Sequence, residues 1–201
     1  MGLAETQKVL ARLYTDAGLR ERFFADPLKT GEELGLGREE VRQLSLLSAR
    51  QVNFFASSLH AKRLQEVRDL LPLTVRALGE RAAPLFREYA ETNLPGGIKK
   101  HRADAAAFAG HLTKTGAIKG AGSEWVAELA RYERAWLEAA DMTRGVIARR
   151  FRLAISELVR EVAGGVAQPA VNRRTTFAVW FRLSPRHRLR HLILKPPFPS
   201  G

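Results

Sequence analysis

Three side chains in the stretch KKHRADAAAFAGHL are of types that do chemistry: His101, Asp104 and His111. With His101 as origin and 100° per residue, Asp104, Phe108, His111 and Leu112 fall within about 100° of arc on one helical face. Two imidazoles and a carboxylate beside Phe108 and Leu112 make this a secondary candidate face for function. The structural alternative is that His101 caps or packs near the preceding turn and Asp104 pairs with Arg102 or Lys100. A single metal ion shared by all three is nearly excluded by length, because Asp104 and His111 lie roughly 10 Å apart along a helix axis. Among the five histidines (His60, His101, His111, His187 and His191), only His187-x-x-x-His191 has a ligand-like spacing. On a strand those two are roughly 13 Å apart and do not chelate, whereas on a helix they would. The chain contains no cysteine and no G-x-S-x-G, P-loop, G-x-G-x-x-G or H-E-x-x-H pattern. The expectation is therefore no enzyme, no cofactor and no metal site.

The second group of chemically marked residues is basic. The net charge is +12, and residues 143–201 hold twelve Lys/Arg against Glu157 and Glu161 alone, so nearly all the excess lies in the last third. Such a concentration is the footprint of an anionic partner, either nucleic acid or an acidic peptide. Period-two alternation in VIARRFRL and TTFAVWFRL predicts strands over Val146–Leu153 and Thr175–Leu183. In the second, Phe177, Val179, Phe181 and Leu183 share one face and Thr176, Trp180 and Arg182 the other. Ser184-Pro185-Arg186 supplies a turn, and His187 to Leu194 returns as a hairpin partner. An edge strand of such a sheet can accept an extended peptide through its unpaired backbone groups. Arg149, Arg150, Arg152, Arg182, Arg188 and Arg190 would then pair with acids on the peptide, and Trp180 would offer a flat apolar platform. The alternative is that the arginines form a solvated face and Trp180 packs under an adjacent helix.

The rest of the chain must position these groups, and it reads as helical. Leu3, Val9, Leu10, Leu13 and Tyr14 recur at helical spacing. Thr15-Asp16 caps a short helix to Phe24, and Asp26-Pro27 opens a third that ends at Leu36-Gly37. Glu39-Glu40 occupy the first turn of a fourth. A long helix from Ser48 to Leu71 carries Val52, Phe55, Leu59 and Val67 on a stripe. Pro72 interrupts it and a further helix follows from Leu73 to Glu91, with the prolines at 72 and 84 as places for a kink in these helices rather than an end. Leu94-Pro95-Gly96-Gly97 ends that helix, and the next starts near Ile98. After a glycine-rich loop from Thr115 to Gly122, Ser123-Glu124 caps a helix running from Trp125 to Met142. There Trp125, Leu129, Tyr132, Trp136 and Leu137 form an apolar, core-type side. Ile155 to Val162 is a short helix closed by Gly164-Gly165, and Lys195-Pro196-Pro197-Phe198-Pro199 is a tail.

This pattern predicts an α+β protein, mostly α. A helical domain over 1–95 is continued by central helices over 96–142. A basic α+β unit with a three-stranded antiparallel sheet follows over 143–195, with a tail over 196–201. With 45% hydrophobic and 27% charged residues, the composition is that of a folded soluble domain. No run of about 18 apolar residues and no signal-peptide pattern is present, and the absence of cysteine fits a reducing cytoplasm. A helix-turn-helix DNA reader between Thr15 and Leu46 is disfavoured, since that segment holds seven acids against five bases.

The run RERFFADPLKTGEELGL, the later LPLTVRALGERAAPLFREYA and the stretch GGIKKHRADAAAFAGHL resemble a bacterial family named for a DNA-binding domain. Its better-understood members are partner proteins in the maturation of bufferin- and methanobactin-type peptides. The similarity extends over about residues 5–195, most clearly 17–112 and the basic strands near Phe151 and Trp180. The resemblance implies a non-catalytic partner subunit that forms a heterodimer with a TIM-barrel multinuclear iron enzyme. It would bind a ribosomally made precursor peptide and present it to that enzyme. DNA binding through the same basic strands is the alternative.

Overall fold

The computed structural model describes residues 3–94, 100–114, 118, 120 and 123–196. The helices in chain order are α1 (Leu3–Thr15), α2 (Ala17–Ala25), α3 (Pro27–Glu33), α4 (Arg38–Ser45), α5 (Ala49–Leu70), α6 (Pro72–Leu78), α7 (Ala82–Thr92), α8 (Lys100–Lys114), α9 (Ser123–Asp141) and α10 (Ile155–Ala163). Strand β1 (Gly145–Phe151) precedes α10, and β2 (Thr176–Arg182) and β3 (Arg190–Leu194) follow it. The protein is thus α+β and mostly helical, with a small antiparallel sheet of order β1-β2-β3 near the C-terminus. The Pro95-Gly96-Gly97 turn, the helix start at Ile98, most of the loop from Thr115 to Gly122 and the tail beyond residue 196 lie outside the described residues. The chain forms two compact units, Met1–Leu64 with Phe86–Leu94, and Gln65–Leu85 with Pro95–Gly201.

The first unit is built by caps and short connections. Asp16 accepts the Leu19 N–H at 2.8 Å, and Asp26 accepts that of Lys29 at 3.0 Å, each satisfying an orphan donor at a helix start. Pro27 then takes the first position of α3, and the Gly37 N–H ahead of α4 donates to Glu40 at 2.6 Å. Val9, Leu13, Leu19, Phe23, Leu36, Val41, Leu44 and Val52 bury themselves together as the core. Of the stripe expected on α5, Val52 and Val67 are buried and Leu59 is half-buried, while Phe55 is 47% exposed with its ring 4.4 Å from Tyr14.

The single helix expected over Leu73–Glu91 is divided in two. Gly79 has φ +57°, a left-handed value that ends α6, and a 3-10 turn over Gly79–Arg81 leads into α7. Pro72 is the first residue of α6 rather than a kink. Pro84 falls in the first turn of α7, where a missing N–H breaks no helical bond.

In the second unit, Phe108 and Leu112 of α8 and Val126 and Leu129 of α9 are buried together with Leu71 and Leu78. Two buried carboxylates of α9 act as caps for other elements. Glu133 accepts the N–H groups of Leu73 and Thr74 at the start of α6, at 2.8 and 2.7 Å. Glu128 accepts the Arg152 N–H at 2.8 Å. The Thr176 hydroxyl of β2 donates to the Leu153 carbonyl at 2.8 Å, and Arg76 caps the end of α10 through the Val162 and Ala163 carbonyls.

Candidate functional site

The sheet has two faces of different character. Its register aligns Val146 with Phe181 and Arg190, Ala148 with Val179 and Leu192, and Arg150 with Phe177 and Leu194. These three rows form an outer face on which Val146 is 67% and Leu192 and Leu194 each 54% exposed. Phe177 is exposed, and Val179 and Phe181 are half-buried. Arg150 and Arg190 stand at diagonally opposite ends of this apolar field. Their guanidinium groups make no ion pair among the described residues.

The opposite face carries Ile147, Phe151, Thr176, Ala178, Trp180 and His191. The expected alternation along β2 is present, but the side bearing Trp180 is the buried one. Trp180 is fully buried, with its ring 5.6 Å from Tyr132, 6.0 Å from Trp136 and 4.9 Å from His191. It is no platform for a ligand. The rings of α9 need an apolar partner, and Trp180 on the facing strand supplies one. Burial lowers the pKa of His191, which shares this aromatic setting.

Two of the six arginines expected on the docking surface are withdrawn from it. Arg149 points to the helix side and pairs with Glu138 at 2.8 Å. Arg182 is half-buried and donates to the Met142 carbonyl at 2.8 Å. Odd positions of β1 and even positions of β2 face the helices, so both arginines fall on the wrong side by parity alone. Arg152 and Arg188 are exposed beside the sheet. At the opposite end of the sheet from Arg152, the β2–β3 hairpin encloses an open groove of ≈ 590 Å³, with Phe181 and Leu183 as apolar walls and Arg186, Arg188 and Arg190 at its rim. His187 also lines it and lies in the turn rather than on β3, which begins only at Arg190. Its Nδ1 is 2.7 Å from the Ser184 hydroxyl.

The two outer edges of the sheet differ. On β1 the carbonyls of Ala148 and Arg150 accept guanidinium N–H groups from Arg149 and Arg131, each at 3.0 Å. No side chain caps a β3 carbonyl among the described residues.

On α8, Asp104 is buried, His101 is exposed and His111 is half-buried. His101 forms an ion pair with Glu66 through Nδ1, and Arg102 pairs with Asp141 at 3.3 Å. Among the described residues no group of three or more His, Asp or Glu is placed to hold a metal ion. In the first unit, burial and then the nearby Arg63, Arg20 and Arg87 lower the pKa of His60. No helix of the described residues is long and apolar enough to cross a membrane.

The buried carboxylates Glu128 and Glu133 stand outside the expected sites. Their signal was present, because Glu133 lies on the same helical stripe as Leu129 and Leu137, and an acid inside an apolar stripe has a buried partner. Comparison with curated proteins gives no match. Residues 47–114, covering α5 through α8 and about a third of the chain, are similar to the family described as SCO6045-like, C-terminal domain.

Proposed function

We propose that this chain is a non-catalytic partner subunit that holds an extended, acid-bearing peptide on its C-terminal sheet. The observation that carries the reading is the outer face of the sheet. There an apolar centre of Phe177, Val179, Leu192 and Leu194 lies between the exposed cations Arg150 and Arg190. A peptide strand added beside β3 alternates its side chains, so every second one lies on the outer face. Apolar residues then lie beside Leu192 and Leu194 and an acid beside Arg190, while Arg150 on the far strand β1 adds longer-range attraction. Its backbone would pair along β3, since the β1 edge already has two carbonyls occupied by guanidinium groups. The resemblance of the helical stretches adds the partners: the peptide is a ribosomally made precursor, and the recipient is a multinuclear iron enzyme.

Double-stranded DNA is the weaker reading. Phosphate-tracking surfaces are polar and strongly basic, whereas the centre of this face is aliphatic and aromatic.

The test is fluorescence anisotropy with an acidic, apolar-alternating peptide and, in parallel, a DNA duplex at physiological salt. Arg150→Glu combined with Arg190→Glu is expected to weaken peptide binding mainly through the association rate, and more at low salt. Unchanged peptide affinity with an intact circular dichroism spectrum would remove the sheet as the docking surface. Tight duplex binding at physiological salt would replace the peptide with DNA. Co-purification with a multinuclear iron enzyme tests the partner assignment separately.

A further inference from the structure

A second basic cluster lies on the helix side of β1. Arg131 and Arg134 of α9 and Arg149 of β1 line an open cavity of ≈ 420 Å³ together with Thr113 and Glu138. The cluster is held in place by its own carboxylates. Glu138 accepts Arg134 Nε through one oxygen and Arg149 Nη2 through the other, each at 2.8 Å. Arg131 is fixed by Glu128 through Nη1 and by the Arg150 carbonyl at 3.0 Å through Nη2.

This arrangement leaves donors unused. Arg134 spends only its Nε on Glu138, and neither of its terminal nitrogens has a hydrogen-bond partner among the described residues. Three guanidinium groups face the two carboxylates Glu138 and Glu128, so the cavity keeps a net positive charge. A β-carbon at position 110 would lie 2.9 Å from Arg134 Nη1, so the fork rests directly against the α8 backbone at Gly110. A planar guanidinium with free terminal N–H groups, pre-oriented by a carboxylate behind it, matches an oxyanion in bidentate fashion.

We propose that this cavity binds a phosphate-type oxyanion, with Arg134 donating from its terminal fork and Arg131 and Arg149 flanking it. A tetrahedral dianion suits three converging guanidinium groups better than a planar monocarboxylate does, because its oxygens point in more than one plane. The cavity is larger than inorganic phosphate, so the natural ligand is a phosphate ester with its organic part directed to solvent. The cavity lies on the helix side of β1, and the peptide surface is the opposite face of the sheet.

The probe is inorganic phosphate at constant ionic strength, with sodium chloride and acetate as controls. Binding is read by calorimetry and by the rise in unfolding temperature that a native-state ligand produces. Phosphate is expected to stabilise the parent protein and the surface control Arg42→Gln, whose side chain is exposed on α4, equally. Arg134→Gln, which retains the length of the side chain but not its fork, is expected to lose affinity about tenfold or more. The 15N resonance of Arg134 Nε supplies a readout independent of stability and is expected to shift on phosphate addition. Equal stabilisation of the parent by chloride or acetate would overturn the proposal. So would phosphate binding that survives Arg134→Gln, or an Arg134 resonance that phosphate leaves in place.

Discussion

Replacing Glu133 with alanine tests whether the second unit depends on one buried carboxylate. Glu133 is 6% exposed and accepts two backbone N–H groups, of Leu73 and Thr74, at 2.8 and 2.7 Å. A hydrogen bond to a charged acceptor contributes about 1.5–3 kcal/mol, and a buried donor left alone costs about 1–3 kcal/mol. Two such donors would be orphaned at the start of α6. The carboxylate offsets part of this gain, because burial is the main cause that raises its pKa. The net expectation for Glu133→Ala is a loss of about 3–4 kcal/mol, a large share of the roughly 5–15 kcal/mol available to a folded protein. Glu133→Gln keeps one carbonyl oxygen, so its loss is expected at about 1–2 kcal/mol. Urea unfolding followed by circular dichroism gives both values from the midpoint, provided the slope is unchanged. The pH dependence has a definite sign. A raised folded-state pKa means that the stability contributed by Glu133 is full below the ordinary carboxylate value and declines as pH rises through the folded value. The margin of the parent over Glu133→Gln should therefore narrow across that window. An alanine variant within about 0.5 kcal/mol of the parent would refute the capping role, since surface substitutions alone fall in that range.

Trp180→Ala should destabilise the protein by about 3–5 kcal/mol, as expected for a large core aromatic, and thermal unfolding measures this directly. A normal melt with lost peptide affinity would restore Trp180 as a ligand contact. Burial lowers the pKa of His191, so the stability it supports is full above the unfolded value near 6.5 and is lost as pH falls through the lowered folded value. His191→Gln should flatten that part of the acid unfolding profile. Arg76→Ala removes a guanidinium bonded to two terminal carbonyls of α10 and should cost about 1 kcal/mol in a urea titration. Elemental analysis of the isolated protein should find less than stoichiometric iron, zinc or copper, and about one equivalent lost with His101→Ala or His111→Ala would contradict this.

Local signals in the sequence sufficed for most of the elements. Asp16, Asp26 and Pro27 mark helix starts by capping chemistry that acts within three or four residues. The period-two alternation of TFAVWFR fixes a strand and the parity of its side chains. Charge counting located the basic third of the chain without any structure. Tertiary structure decided which side of that strand is buried: the face of Phe177, Val179 and Phe181 is the more apolar in sequence, yet the face of Thr176, Ala178 and Trp180 is the one that is buried. The rings of Tyr132 and Trp136 on α9 made the choice: they pack against Trp180, and that orientation puts Arg149 and Arg182 on the helix side of the sheet. Gly79 split a helix whose apolar periodicity runs straight through it, since a left-handed residue leaves no trace in hydrophobic spacing. The arginine cavity was equally invisible beforehand. Its members belong to three separate elements, and only the packing of α8, α9 and β1 brings Gly110, Arg134, Glu138 and Arg149 to one place.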